Sequence, residues 1–174
     1  MNSVVVITAV GQDRPGIVAA LAKAMFDLGG NLDDATMTRL HSAFATMVSA
    51  SLPAGVNVDD CRVALAPVAR EMGLTVTVQE VSGEDGQEIP PDHLLTVYGA
   101  DKAGIVFEVT ARLAERGVNI TDMDTRLTGA PGSPIYVMVL EVACGDADLA
   151  SEIETLRKTL GVDVTVQSLD AEAL

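Results

Sequence analysis

The chain has 174 residues, 48% hydrophobic and 21% charged, which suits one medium domain or two small ones and is too apolar for disorder. Its formal charge of −14, with 11 Lys and Arg scattered along it, repels phosphate backbones and anionic lipid, so no direct nucleic-acid or membrane partner is expected. No apolar run approaches about 18 residues, the N-terminus enters a strand without a basic leader, and Cys61 and Cys144 lie in neither a CxxC nor a metal-like spacing; a cytoplasmic protein with reduced thiols is expected.

Val4 to Val10 is a short β-branched run closed by Gly11, which favours a strand. Pro15 has a helical φ and no N–H to leave unpaired, so it suits the first helical position. Arg14, as the residue before proline, is pushed out of the α region and can flank the helix. Asp13 then can cap orphan amides or face the positive helix end. The turn reads either as a capped helix start or as a small anion site. Ile17, Val18, Leu21, Met25 and Leu28 form one helical stripe, stopped by Gly29-Gly30.

Asn31 opens the next segment, with a strand over 34–40 that puts Ala35, Met37 and Arg39 on one face. A second strand covers 44–52, and His41-Ser42 is the turn between them. Pro53 to Asn57 is a loop, and Asp59 or Asp60 starts a helix with the stripe Cys61, Leu65, Val68 and Met72, ended by Gly73. Pro67 inside it should cost roughly 3 kcal/mol unless the helix kinks or restarts there. Leu74 to Val81 is a last strand. The order β-α-β-β-α-β is the ferredoxin-like, split βαβ arrangement.

Ser82 to Asp92 is polar and rich in Gly and Pro, and reads as a linker between a domain over 1–81 and another over 93–174. The pattern then repeats: Gly99 minus Gly11, Asp101 minus Asp13, Gly104 minus Gly16, Asn119 minus Asn31 and Thr165 minus Thr77 all give 88. Helix stripes follow the same offset, with Leu113 on Met25 and Leu149, Ile153, Leu156 and Leu160 on Cys61, Leu65, Val68 and Met72. The offset wanders in the middle, where Thr128 to Pro134 lengthens the second hairpin. Because Cys61 stands where Leu149 does, it reads as a buried, inert thiol, and Cys144 as the unremarkable end of a strand.

The run Gly11-x-Asp13-x-Pro15-Gly16-Ile17-Val18 followed by Asn31, repeated as Gly99-x-Asp101-x-Ala103-Gly104-Ile105-Val106 followed by Asn119, resembles the ACT-domain family. Two copies with no catalytic or DNA-binding domain attached are similar to the glycine cleavage system transcriptional repressor group. The resemblance implies two ferredoxin-like units, each an antiparallel four-stranded sheet with two helices on one face. It also implies a non-catalytic regulator that binds a small ligand, most often an amino acid, where ACT units meet. Regulation would pass through a partner, a transcription factor or an enzyme, with control of glycine and one-carbon metabolism as the implied setting. No cofactor or metal is called for. The second copy departs from the pattern, with Lys102 for the arginine and Ala103 for the proline.

The candidate ligand residues are Gly11, Asp13, Arg14, Pro15, Gly16, Ile17 and Asn31, with Gly99, Asp101, Gly104, Ile105 and Asn119. A carboxylate could rest on amides at Gly16-Ile17 or Gly104-Ile105, at a helix N-terminus. An ammonium could pair with Asp13 or Asp101, and Asn31 or Asn119 could close the site across an interface. The plainer reading makes Asp a cap, Gly a turn residue and Asn a strand opener. Arg39 and Arg126, each ending a similar strand stretch, could grip a carboxylate or simply cover a sheet edge. His41 reads as a hairpin residue and His93 as a linker residue, without partners at ligand spacing. Met25, Met37, Met47, Met72, Met123 and Met138 read as core or interface filler. Partly apolar open faces and edges predict paired units and a homodimer. Two alternatives to the sensor are a ligand-independent adaptor and a small acylphosphatase-like hydrolase, though no nucleophile–base pair supports the latter.

Overall fold

Alternation along Val4–Gln12 buries Val5, Ile7 and Ala9 on one face and makes this segment β1. The computed structural model describes residues 3–81, 89–130, 132–145, 147 and 149–169. After β1 come α1 (Ile17–Asp27), β2 (Asn31–Leu40), β3 (Ala43–Ser51), α2 (Val58–Met72) and β4 (Leu74–Val81). The second unit repeats the order with β5 (His93–Ala100), α3 (Ile105–Glu115), β6 (Asn119–Ala130), β7 (Ser133–Ala143), α4 (Ala150–Leu160) and β8 (Asp163–Ser168). The chain divides into the units Met1–Gln87 and Glu88–Leu174. Of the predicted linker, residues 82–88 lie outside the described residues, as does Pro131 in the lengthened hairpin.

Each unit is a four-stranded antiparallel sheet, in the orders β2-β3-β1-β4 and β6-β7-β5-β8. Both helices of a unit pack on one face, and each unit has its own core. Phe44, Ile7, Leu52 and Leu65 are fully buried in the first, Leu95, Leu113, Met138 and Leu156 in the second. Each such side chain contributes about 1.5–3 kcal/mol by leaving water. Glu152, buried on α4, is held by Arg116, which caps the C-terminal end of α3, and, at 3.9 Å, by Arg112 of α3.

Several boundaries differ from expectation for identifiable reasons. Helix α1 starts at Ile17 rather than Pro15, because Gly16 at φ 95° turns the chain into the helix. Helix α2 starts at Val58, one or two residues earlier than Asp59 or Asp60, because Asn57 caps it. The Asn57 side chain accepts from the N–H groups of Asp59 and Asp60, and Asp60 Oδ2 accepts from the Asn57 N–H. Pro67 does not end α2. It faces solvent with Val63, the residue whose carbonyl it frees, so water can satisfy that oxygen. Strand β2 reaches back to Asn31, with a register irregularity between Leu32 and Ala35.

The methionines divide. Met25 and Met138 are core residues, whereas Met37, Met47 and Met123 are exposed. Strand β2 is exposed along its whole length, because the helices do not cover this edge. Instead an apolar groove of about 250 Å³ runs between α1 and β2, lined by Val18, Ala22, Ala35, Met37, Thr46 and Val48 among others. The second unit carries bulkier Thr110, Met123, Met138 and Leu140 in register with Ala22, Ala35, Thr46 and Val48.

His93 is not a linker residue. It opens β5, paired with Val142 of β7 and Ser168 of β8, and the preceding Asp92 already donates its N–H to the Val142 carbonyl at 3.0 Å. Cys61 is fully buried in the first core, where burial and then the charge of Asp60 push its thiol up.

Candidate functional site

The strand–helix loops after β1 and β5 share one backbone solution. Gly11 lies against the start of β4: a Cβ there would stand 2.7 Å from Leu74 Cδ2 and 2.8 Å from the Gly73 carbonyl oxygen. Gly99 meets Val162 in the same way, at 3.0 Å from Cγ1. Both glycines are therefore steric requirements of a close strand-to-turn approach. Gly16 and Gly104 then act as N-caps at φ 95°, a left-handed conformation that L side chains rarely adopt, and no side chain caps either helix.

The capping expectation for Asp13 and Asp101 is thus corrected. A glycine N-cap three residues nearer the helix takes that position, and neither aspartate hydrogen-bonds the first-turn amides. The Asp13 N–H donates to the Ser42 carbonyl at 2.8 Å, and its carboxylate meets Arg39 Nη1 of β2 at 3.3 Å. Asp101 is exposed. Pro15 is a turn residue before the cap. Ile17 and Ile105 are buried beneath their helices, so only their backbone can face a ligand.

Arg14 is engaged elsewhere. Its Nη2 donates to the Glu71 carbonyl at the end of α2, and Lys102 Nζ donates to the Leu160 carbonyl at the end of α4, at 3.2 Å. Both cations favour the negative ends of those helices. At the second loop an open cleft of about 410 Å³ is lined by Lys102, Gly104, Ile105, Val106, Phe107 and Tyr136. Phe107 and Tyr136 were not singled out from the sequence. Tyr136 becomes visible as a neighbour only through the β5–β7 register, where it stands opposite Gly99.

Asn31 and Asn119 are not near their own loops. Asn31 pairs with Ser51, which pairs with Val4, whereas the loop leaves the other end of β1 beyond Gly11. Val4 and Gly11 are roughly 23 Å apart along a strand. The Asn31 side chain donates to Asp33 Oδ1 at 2.9 Å, and Ser51 Oγ donates to Asp33 Oδ2 at 2.6 Å. Hydrogen bonds from Ser51 first and Asn31 second hold the Asp33 carboxyl below its usual range. Nor are the two arginines equivalent. Arg39 is opposite Phe44, on the helix side and at the loop, whereas Arg126 is opposite Val137 on the other side, paired with Asp124 at 2.8 Å.

Among the described residues no helix is long and apolar enough to cross a membrane. With the geometry in view, known proteins give the class: ACT-domain profiles match residues 3–79 and 93–161, so the chain belongs to the ACT-domain family. It is a tandem ACT-domain protein, a non-catalytic regulator distantly related to glycine cleavage system transcriptional repressors. The glycine cleavage system transcriptional repressor of Escherichia coli is 24% identical over 167 residues, covering 93% of this chain and 86% of that one. A UPF0237 protein of Methanopyrus kandleri is 36% identical over 75 residues, 42% of this chain and 83% of its own length. The crystal structure of an unknown protein from Galdieria sulphuraria superposes with a TM-score of 0.84 at 27% identity, covering 97% of this chain and 99% of that chain.

Proposed function

We propose that this protein is a cytoplasmic sensor that binds a small amino acid at interfaces between ACT units and relays occupancy to a partner protein. The observation that carries the reading is the pair of uncapped helix N-termini behind Gly16 and Gly104. Free first-turn amides and the helix dipole suit a carboxylate of modest size. The cleft beside Gly104 adds Tyr136 as a hydroxyl partner. Asp101 supplies the opposite charge for an ammonium.

Asn31 and Asn119 contribute in this reading from a neighbouring unit, since each lies at the far end of its own sheet. Exposed Val10, Leu40 and Met47 in one unit, and Tyr98 and Ile135 in the other, support assembly, with a homodimer as the simplest form. A ligand that bridges two units favours the assembled state by its differential affinity, and that shift is the signal. The distant relationship to a named transcriptional repressor supports transcriptional control of glycine or one-carbon metabolism, acting through a DNA-binding partner because the chain is so acidic.

Calorimetric titration of the full chain with glycine, serine and a panel of other amino acids tests this. Saturable heat is expected at millimolar ligand or below, reduced by Gly104→Val or Gly16→Val in variants that keep their far-ultraviolet dichroism. Silence across the panel removes the sensor and leaves the adaptor reading, which the exposed apolar side chains also support. Sedimentation showing only monomer, with or without ligand, removes the assembly mechanism.

A further inference from the structure

At the opposite end of β5 from the loop, Asp92, His93 and Cys144 bring a carboxylate, an imidazole and a thiol to one place. One ligand atom from each lies within 4.8 Å of the others. His93 Nδ1 is 2.7 Å from Asp92 Oδ1. The Cys144 and Gly145 N–H groups donate to Asp92 Oδ1 and Oδ2 at 2.9 and 3.0 Å, which fixes the carboxylate from behind. Cys144 is buried, and Asp92 and His93 are half-buried.

The first unit builds the same corner of the fold without these residue types. By strand register, the first unit has Val4, Val5 and Leu52 where the second has Asp92, His93 and Cys144, and Val5 and Leu52 are fully buried. An apolar corner in one copy has become a polar, three-donor corner in the other. Desolvating such groups costs free energy that the apolar version avoids. A ligand that uses all three donors accounts for the exchange.

We propose that Asp92, His93 and Cys144 form a binding site for one divalent zinc-like ion. Oxygen, nitrogen and sulfur donors together suit a borderline-soft ion in tetrahedral geometry, with water or a further donor in the fourth position. On binding, Cys144 gives up its thiol proton to solvent and becomes the thiolate ligand. The His93 proton moves to Nε2, freeing Nδ1 for the ion. One proton is released for each ion bound. The two backbone amides on Asp92 then act as the orienting partners that metal carboxylates commonly have. The site lies roughly 23 Å along β5 from the loop, so it does not depend on amino-acid binding there.

The test is titration of the reduced full-length chain with Co²⁺, followed by displacement with Zn²⁺. The expected result is a thiolate-to-cobalt charge-transfer band that saturates at one ion per chain, persists in Cys61→Ser and is absent in Cys144→Ser. His93→Gln is expected to weaken Co²⁺ at least about tenfold, the loss that even an indirect partner causes. No band in the wild-type chain overturns the proposal, as does a band that survives Cys144→Ser. Should Cys144→Ser not fold, unchanged Co²⁺ affinity in His93→Gln overturns it equally.

Discussion

Arg14 extends from the first loop to the far end of α2, where its Nη2 donates to the Glu71 carbonyl oxygen at 2.6 Å. Lys102 makes the corresponding reach to Leu160 in the second unit, at 3.2 Å. Substituting arginine by lysine therefore preserves a structural tie, and ligand charge need not explain the basic residue at this position. Arg14→Ala is expected to lower stability by about 1 kcal/mol, the usual worth of a solvent-exposed bond of this kind. Urea unfolding measures this loss. If the sensor reading holds, amino-acid affinity in Arg14→Ala stays within twofold of wild type, because the guanidinium already has its partner.

Gly11 and Gly104 resist substitution for different reasons, and the difference is measurable. Gly11 lacks room, since a Cβ would collide with Leu74 and the Gly73 carbonyl. Gly104 has open space around it but holds φ 95°. Gly11→Ala is expected to cost about 1–3 kcal/mol by overpacking, and Gly104→Ala about 1–2 kcal/mol by backbone strain. Asparagine separates the causes, because it tolerates positive φ but is larger than alanine. Gly104→Asn should recover part of the loss, whereas Gly11→Asn should deepen it. The same order of damage at both sites would mean that the two glycines do one job.

The duplication was legible because core periodicity survives sequence drift: Leu21, Met25 and Leu65 must face the sheet in one copy just as Val109, Leu113 and Ile153 do in the other. The Gly-rich loops were legible as turns for the same local reason. Helix starts were less so. Asp13, Arg14 and Pro15 satisfy every local rule for a helix entry, yet Gly16 takes the cap because the chain must first clear the start of β4. What depends on register was not legible at all. Arg39 and Arg126 end similar stretches but face opposite sides of their sheets, since adjacent strand positions alternate. Asp92 and Cys144 are 52 positions apart and meet only where β5 and β7 pair.

Pro67 offers a stabilising substitution. It lies inside α2, lacks an N–H for the Val63 carbonyl and faces solvent, so nothing in the core depends on its ring. Pro67→Ala restores one helical hydrogen bond and a better helix former, and should raise stability by about 1–3 kcal/mol. Thermal unfolding of the isolated substitution checks it. An unchanged or lowered midpoint would show that the proline is needed for the packing of α2.

Asp33 provides a pH-dependent prediction at the start of β2. Its carboxylate accepts from Ser51 Oγ and Asn31 Nδ2, and the larger influence, from Ser51, holds it below the ordinary 3.8. A carboxyl with a lowered folded value contributes stability above its unfolded value and loses it as pH falls through the folded one. Wild type and Ser51→Ala should therefore differ most in stability above pH 4 and converge as pH falls below the Asp33 folded value. Carboxyl-carbon titration by NMR gives the direct reading: in Ser51→Ala the Asp33 midpoint rises towards 3.8, and in Asn31→Ala it rises by less. No shift in Ser51→Ala would mean that the serine hydroxyl does not hold this carboxylate, and equal shifts in the two variants would mean that Asn31 is not secondary to it.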